Sequence, residues 1–214
     1  CLAPLEAQEE RWVETNSWQG TGNFQTEIFF VTADQWRVVY RATGKGPFRM
    51  VLHREGGNDP VVVSNQQGPP LYSGRRSFRQ PGRRYLEIAS ENTGWEVAVE
   101  QLLTPLAEWR LVQLIRKERP ELVRAATWTG GAGAQEFEVQ IPRGSWALFA
   151  TVEGEGKLDL AVAPTGAKDD GKVAEMKQVG AGKASTWIHR SGTFLVRTQG
   201  GENCRWQIDV CVPK

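Results

Sequence analysis

Histidine and cysteine are scarce in this sequence, two and three residues among 214, and that scarcity removes whole classes of chemistry. With only His53 and His189, no HExxH helix, paired CxxC or multi-histidine metal site can be written. The nucleophile elbow GxSxG is missing, as are the Walker loop and any dinucleotide glycine pattern in a βαβ unit. A Ser/His/Asp triad is left only as a site assembled in space. No apolar run approaches the roughly 20 residues that span a bilayer. Charge of one sign is lacking too: 26 Lys and Arg against 25 Asp and Glu give a net charge of +1. That balance carries no nucleic-acid footprint, and no platform of interleaved basic and aromatic residues is readable. The chain therefore reads as non-enzymatic, with no cofactor and no nucleic-acid partner.

What is plentiful is tryptophan and glycine, nine and 23 residues, with 11 prolines. The stretch WQGTGNFQTEIFFVTADQW at 18–36 returns in outline as WTGGAGAQEFEVQIPRGSW at 128–146. Sliding the sequence by 110 positions lays residues 12–52 on 122–162 without a gap, with Val13, Trp18, Gly20, Gln25, Trp36, Gly44 and Gly46 identical. Apolar positions follow: Phe48, Met50 and Leu52 meet Leu158, Leu160 and Val162, and farther on Phe78 meets Ile188 and Gly82 meets Gly192. With shifts of one residue, Tyr85-Leu86 meets Phe194-Leu195, and Trp95, Val97 and Val99 meet Trp206, Ile208 and Val210. The period is too long for a solenoid unit and fits one small domain, so the expectation is a tandem duplication.

Within each copy the apolar residues alternate, as in WRVVY, FRMVL, WEVAV and WQIDV, which is the pattern of strands with one buried face. Glycine-, proline- and asparagine-rich turns separate seven or eight such strands. The fold expected is all-β, two tandem antiparallel, jelly-roll-like β-sandwiches. Residues 1–101 form the first, 102–120 a short linker helix and 121–214 the second. In the linker, Thr104 caps, Pro105 starts and Pro120 stops a helix, with Arg116 and Lys117 in the last turn. Leu106, Trp109, Val112 and Ile115, three apart, mark its apolar face. An extra strand through LVQLI is the alternative. A glycosidase would set paired carboxylates on a broad concave sheet, for which so small a sandwich has little room.

The succession W-x-G, F-x-V, W-x-V, F-x-M-x-L, G-x-x-Y-L-x-I and W-x-V-x-V resembles the small secreted sandwich domains of bacterial envelope proteins and lipoproteins. It is also similar to the pre-peptidase C-terminal type of domain. The resemblance covers residues 12–101 and 122–212. It implies an extracytoplasmic place, periplasmic or at the cell surface, a binding or spacing role, and no catalytic residue. Cys1 matches the first residue of a processed bacterial lipoprotein, where the thiol carries the lipid. An arbitrary chain boundary is the alternative. Cys204 and Cys211 lie roughly 20 Å apart if the segment between them is a strand at about 3.3 Å per residue. A disulfide needs roughly 7 Å, so these two are not expected to pair with each other. A free thiol, or a bond from one of them to Cys1, stays open.

Residues that the fold does not require are those present in one copy only. Trp12, Trp18, Trp36, Trp95, Trp128, Trp146 and Trp206 recur or align with an apolar residue and are assigned to cores. Trp187 aligns with Ser77 and, next to inward Ile188, should face outward, as a contact for a sugar or protein or as packing against the linker or the other domain. Arg75, Arg76, Arg79, Arg83 and Arg84 crowd what reads as one hairpin. They are candidates for binding phosphate, sulfate or carboxylate groups, against the alternative of a solvated strand edge. His53 and His189 read as exposed strand ends. Asn58, Asp59, Asp169 and Asp170 read as turn formers rather than calcium ligands. The leading function is a binding or scaffold protein whose partner is a protein or glycan of the cell envelope, touching the membrane only through a lipid on Cys1. A carbohydrate-binding module for an acidic glycan is the second reading, and a small hydrolase the third.

Overall fold

Strand alternation carries through to three dimensions. The computed structural model describes residues 9–67, 72–91, 93–167 and 171–214, so Cys1, Asp169 and Asp170 lie outside the described residues. Among the described residues nine strands precede the helix: β1 (Arg11–Thr21), β2 (Phe24–Gln25), β3 (Phe29–Val31), β4 (Trp36–Gly44), β5 (Phe48–Arg54), β6 (Val61–Gln66), β7 (Tyr72–Phe78), β8 (Gly82–Ser90) and β9 (Thr93–Leu103). Helix α1 (Pro105–Glu118) follows. Eight strands come after it: β10 (Leu122–Gly130), β11 (Gly133–Ile141), β12 (Trp146–Glu153), β13 (Lys157–Pro164), β14 (Ala174–Val179), β15 (Gly182–Ile188), β16 (Gly192–Gly200) and β17 (Arg205–Pro213).

The strands make four antiparallel sheets. Their orders are β1-β9-β4-β7 and β2-β8-β5-β6, with β3 also on β8, then β10-β17-β12-β15 and β11-β16-β13-β14. Substituting β10 for β1, β17 for β9 and so on converts the first pair of orders into the second. Each pair of sheets buries its own core. Trp36, Val38 and Val97 of one sheet pack with Phe48, Met50 and Leu86 of its partner. Trp146, Leu148 and Ile208 pack with Leu158, Leu160 and Val196.

Registers correspond as well. Trp36 lies opposite Phe78, and Trp146 opposite Ile188. Trp95 lies opposite Gly20, and Trp206 opposite Gly130. Their indoles donate to the Gly22 and Gly131 carbonyls at 3.2 and 3.0 Å. A β-bulge interrupts β1 between Glu14 and Asn16 and β10 between Arg124 and Ala126.

Several expectations need correcting. The one-residue shift holds for β9 against β17, but β8 and β16 keep the offset of the earlier strands. Arg54 faces Arg84 across β5 and β8 as Pro164 faces Phe194 across β13 and β16. Arg84 therefore stands where Phe194 does, and Tyr85 where Leu195 does. The apolar match of Tyr85 with Phe194 had slid the sequences by one. The arginine-rich stretch is also not one hairpin, because β7 pairs with β4 while β8 pairs with β5, β2 and β3. The turn at 79–81 crosses from one sheet to the other.

Helix α1 begins as its sequence dictates, with the Thr104 hydroxyl accepting from the Ala107 amide at 3.2 Å and Glu108 in the first turn. Its buried residue is Leu111, flanked by Ala107 and Ile115 against Ala33, Leu103 and Phe30. Leu106, Trp109 and Val112 are 47%, 60% and 40% exposed, so of the expected apolar face Ile115 packs inward and the other three residues look outward. Trp12 is not a core residue either. It is exposed, with the Arg37 guanidinium 4.0 Å above its ring. Cys204 is buried and Cys211 half-buried, and both are free thiols.

Candidate functional site

The exchange of Phe194 for Arg84 opens the candidate site. In the second half Phe194 is 2% exposed and lies 5.2 Å from the Trp146 ring, closing that end of the core. In the first half the same place holds a guanidinium, and a cleft of 390 Å³ opens beside Trp36. Leu52, Val61 and Phe78 complete its apolar wall. Phe78 is held by stacking on Trp36, ring centroids 4.6 Å apart. The polar lining is Arg54, Arg79 and Arg84 with Asp59 and Gln80.

Arg84 is 5% exposed. Its Nη2 donates to the Gln80 and Pro81 carbonyls at 3.2 and 3.3 Å, while its buried Nε has no partner among the described residues. Burial, and then the charge of Arg54, push its pKa down, yet a guanidinium stays protonated in proteins. Like charges directly opposite on paired strands are destabilising. Arg54, Arg79 and Arg84 have no carboxylate in ion-pair contact among the described residues. The adjacent Glu55 is taken by Arg83 at 2.6 Å. Another depression, lined by β11, β13, β14 and β16, differs in this respect: there Arg197 meets Glu136 at 2.7 Å and Lys172 meets Glu175 at 2.8 Å.

The five arginines singled out in the sequence thus part company. Arg84 and Arg79 line the cleft. Arg83 is exposed, in the ion pair with Glu55 and 5.2 Å from the Phe30 ring centroid. Arg75 and Arg76 sit on the exposed edge strand β7, where Arg76 donates to the Val62 carbonyl. Arg54 was not singled out, because only strand pairing brings it to Arg84.

Trp187 lies elsewhere, at the joint between the halves. It is half-buried, its ring 8° from parallel with that of His189 at 6.3 Å. His189 is no exposed strand end. Its Nε2 donates to the Thr26 carbonyl at 2.7 Å and its Nδ1 accepts from the Ser145 hydroxyl at 2.7 Å. A carbonyl only accepts, which fixes the Nε2–H tautomer. Burial, outweighing the Thr26 bond, pushes the His189 pKa down to about 4. Tyr85 packs 4.0 Å from His189, and His53 stacks on Tyr85 at 4.7 Å with Glu87 3.4 Å away.

Gln25, 2% exposed, stitches the same joint. Its side chain donates to the Val173 carbonyl at 3.4 Å and accepts from the His189 amide at 3.2 Å. The Thr186 hydroxyl bridges the Gln25 amide and carbonyl, both at 3.4 Å. Among the described residues no group of three or more His, Cys, Asp or Glu is placed to hold a metal ion. No described helix is long and apolar enough to cross a membrane.

No protein-family model and no curated protein matches the sequence. Similar solved structures include a triple jelly-roll structure from an archaeal virus, at 13% identity and a TM-score of 0.30, covering 97% of this chain and 59% of that one. The chain thus spans less than two thirds of that protein's length. The tandem CBM22-1–CBM22-2 domain of Paenibacillus barcinonensis Xyn10C matches at 8% identity and a TM-score of 0.29, covering 98% and 92%. A fucolectin from striped bass serum matches at 10% and 0.24, covering 92% and 85%. At these TM-scores the likenesses decide neither ligand nor activity. The chain is all-β, of antiparallel sheets, and its site must be argued from its own residues.

Proposed function

We propose that this chain is a non-enzymatic, extracytoplasmic binding or scaffold protein built from a duplicated β-sandwich, with residues 1–101 and 121–214 as the two domains and 102–120 as the helical linker. The matching strand orders, bulges and tryptophan registers support the duplication. The extracytoplasmic place rests on the resemblance to envelope domains. The two sandwiches serve as a rigid frame, because the joint through Gln25, Thr186 and His189 is buried and hydrogen-bonded. Ligand contact falls to the cleft at the end of the first sandwich.

The observation that carries this reading is Arg84 in the place of Phe194. A frame that is repeated can close its core with phenylalanine, as the second half does. Setting an arginine there burdens the fold with a desolvated charge, and such departures from local consistency gather at functional sites. The second reading, a carbohydrate-binding module for an acidic glycan, uses the same cleft, where Phe78 offers a ring beside Arg79. Trp187 is not part of that surface.

The test is thermal unfolding of the full chain against polysaccharides, anionic lipid vesicles, calcium and chelator. A ligand at about 100 times its Kd stabilises by about 2.7 kcal/mol, some 5–10 °C for a chain of this length. A shift that disappears in Arg84→Phe supports a binding role for the cleft. A shift that persists in that variant moves the binding surface elsewhere. No shift with any member leaves a scaffold for a protein partner, tested by cross-linking in the native envelope.

A further inference from the structure

We propose that the cleft takes a doubly charged oxyanion, a phosphate monoester or free phosphate, held by Arg54, Arg79 and Arg84 against the Trp36 and Phe78 wall. The inference rests on the reading of the cleft as the ligand site and adds the chemical class of the ligand.

Charge sets the class. Three guanidiniums and one carboxylate, that of Asp59, line the cleft, leaving two uncompensated positive charges. A phosphate ester carries close to two negative charges at neutral pH and three acceptor oxygens. A carboxylate carries one charge and leaves a guanidinium unmatched. Arg54 and Arg84 are cross-strand partners with no carboxylate in contact with either among the described residues. An oxyanion bridging them turns their repulsion into two charge-assisted contacts. Arg84 is itself fixed before any ligand arrives, since the Gln80 and Pro81 carbonyls hold Nη2. Little side-chain freedom is then lost on binding.

Shape sets the rest. The volume, 390 Å³, falls in the range of small-molecule sites, about 300–1,000 Å³. It leaves room for a small organic body beyond the oxyanion, against Leu52, Val61 and Phe78. Neither Arg75 nor Arg76 lines the cleft, which separates this site from the general basicity of the segment.

The experiment is calorimetric titration of the full chain with inorganic phosphate, glucose 6-phosphate, glucuronate and glucose. Both phosphates should bind with one site per chain. Glucuronate should be weaker by about tenfold or more, the worth of one charged hydrogen bond, and glucose should give no heat. Arg84→Phe, which installs the residue of the second half, should abolish phosphate binding while its thermal midpoint stays level or rises. Arg84→Lys keeps the charge without the planar fork and should weaken binding, and Arg75→Ala should leave it unchanged. Vesicles with and without phosphatidic acid separate a lipid-borne phosphate monoester from a free one: capture only by those that carry phosphatidic acid points to the lipid, and capture by neither, with free phosphate bound, points to a soluble ligand.

Absence of phosphate binding, phosphate binding that survives Arg84→Phe, or glucuronate binding as tight as glucose 6-phosphate would each overturn the inference. If instead a neutral polysaccharide binds and Arg84→Phe abolishes that, the oxyanion fails while the cleft stands as the ligand site. If a ligand binds and Arg84→Phe changes nothing, the cleft itself fails.

Discussion

Trp36 and Arg84 donate to one acceptor: indole Nε1 and guanidinium Nη2 reach the Gln80 carbonyl at 3.1 and 3.2 Å. A fully buried tryptophan of the first core and its odd cation are thereby tied to the turn at 79–81, which forms the lip of the cleft. In the second half the corresponding indole, Trp146, is buried with no hydrogen-bond partner among the described residues, and Phe194 packs beside it. One half has a dry closure at this end and the other a polar one.

The glycines beneath the paired tryptophans offer a check on the matching registers of the two halves. A Cβ on Gly20 would come within 2.8 Å of Trp95 Cζ2, and one on Gly130 within 2.3 Å of Trp206 Cζ2. Gly20→Ala and Gly130→Ala should each destabilise by about 1–3 kcal/mol, as overpacked core sites do. Gly130→Ala should cost more. Urea unfolding midpoints of the two variants measure this.

The strands and their turns were legible because period-two alternation and glycine punctuation are local signals. The helix ends were legible for the same reason, through Thr104, Pro105 and Pro120. Its buried face was misread. Residues three apart step about 60° round a helix, so the row from Leu106 to Ile115 covers half the circumference, and packing selected Ala107, Leu111 and Ile115 instead. Arg84 was seen as one charge among five, since aligning apolar residues hid its equivalence to Phe194. Arg54 and the joint were illegible. They depend on pairings across strands and between halves, such as Gln25 with His189, that no local pattern encodes.

Gln25→Leu should loosen the joint. It leaves the His189 amide and the Val173 carbonyl without their side-chain partner, at about 1–3 kcal/mol for each group left buried and unpaired. Hydrogen exchange should quicken at the His189 amide and stay slow at Ile208 in the core of the second half.

Acid should act through His189. Its pKa falls from the ordinary 6.5 to about 4 in the fold, so between those values the unfolded chain binds the extra proton. The stability tied to this group is complete above pH 6.5 and is lost as pH falls towards 4, amounting to about 3 kcal/mol. Unfolding free energies at pH 7, 5.5 and 4 should fall more steeply in the native protein than in His189→Gln, and the difference between the two isolates this imidazole.

Trp187→Ala should register in stability and not in ligand affinity. The ring stands in the row with His189 and Tyr85, away from the arginine cleft. Its removal should lower the thermal midpoint by a few degrees, for about 1 kcal/mol of lost packing, and leave the phosphate titration unchanged.

On the proposed reading, ligand enters beside Trp36 and nowhere equivalent in the second half. The most direct measurement follows the indole N–H resonances of Trp36 and Trp146 by ¹H–¹⁵N NMR, assigned with single Trp→Phe variants, during titration with glucose 6-phosphate. A saturable shift at Trp36 with Trp146 stationary, and no shift at either in Arg84→Phe, is the expected result. A stationary Trp36, or equal movement of both resonances, would contradict it.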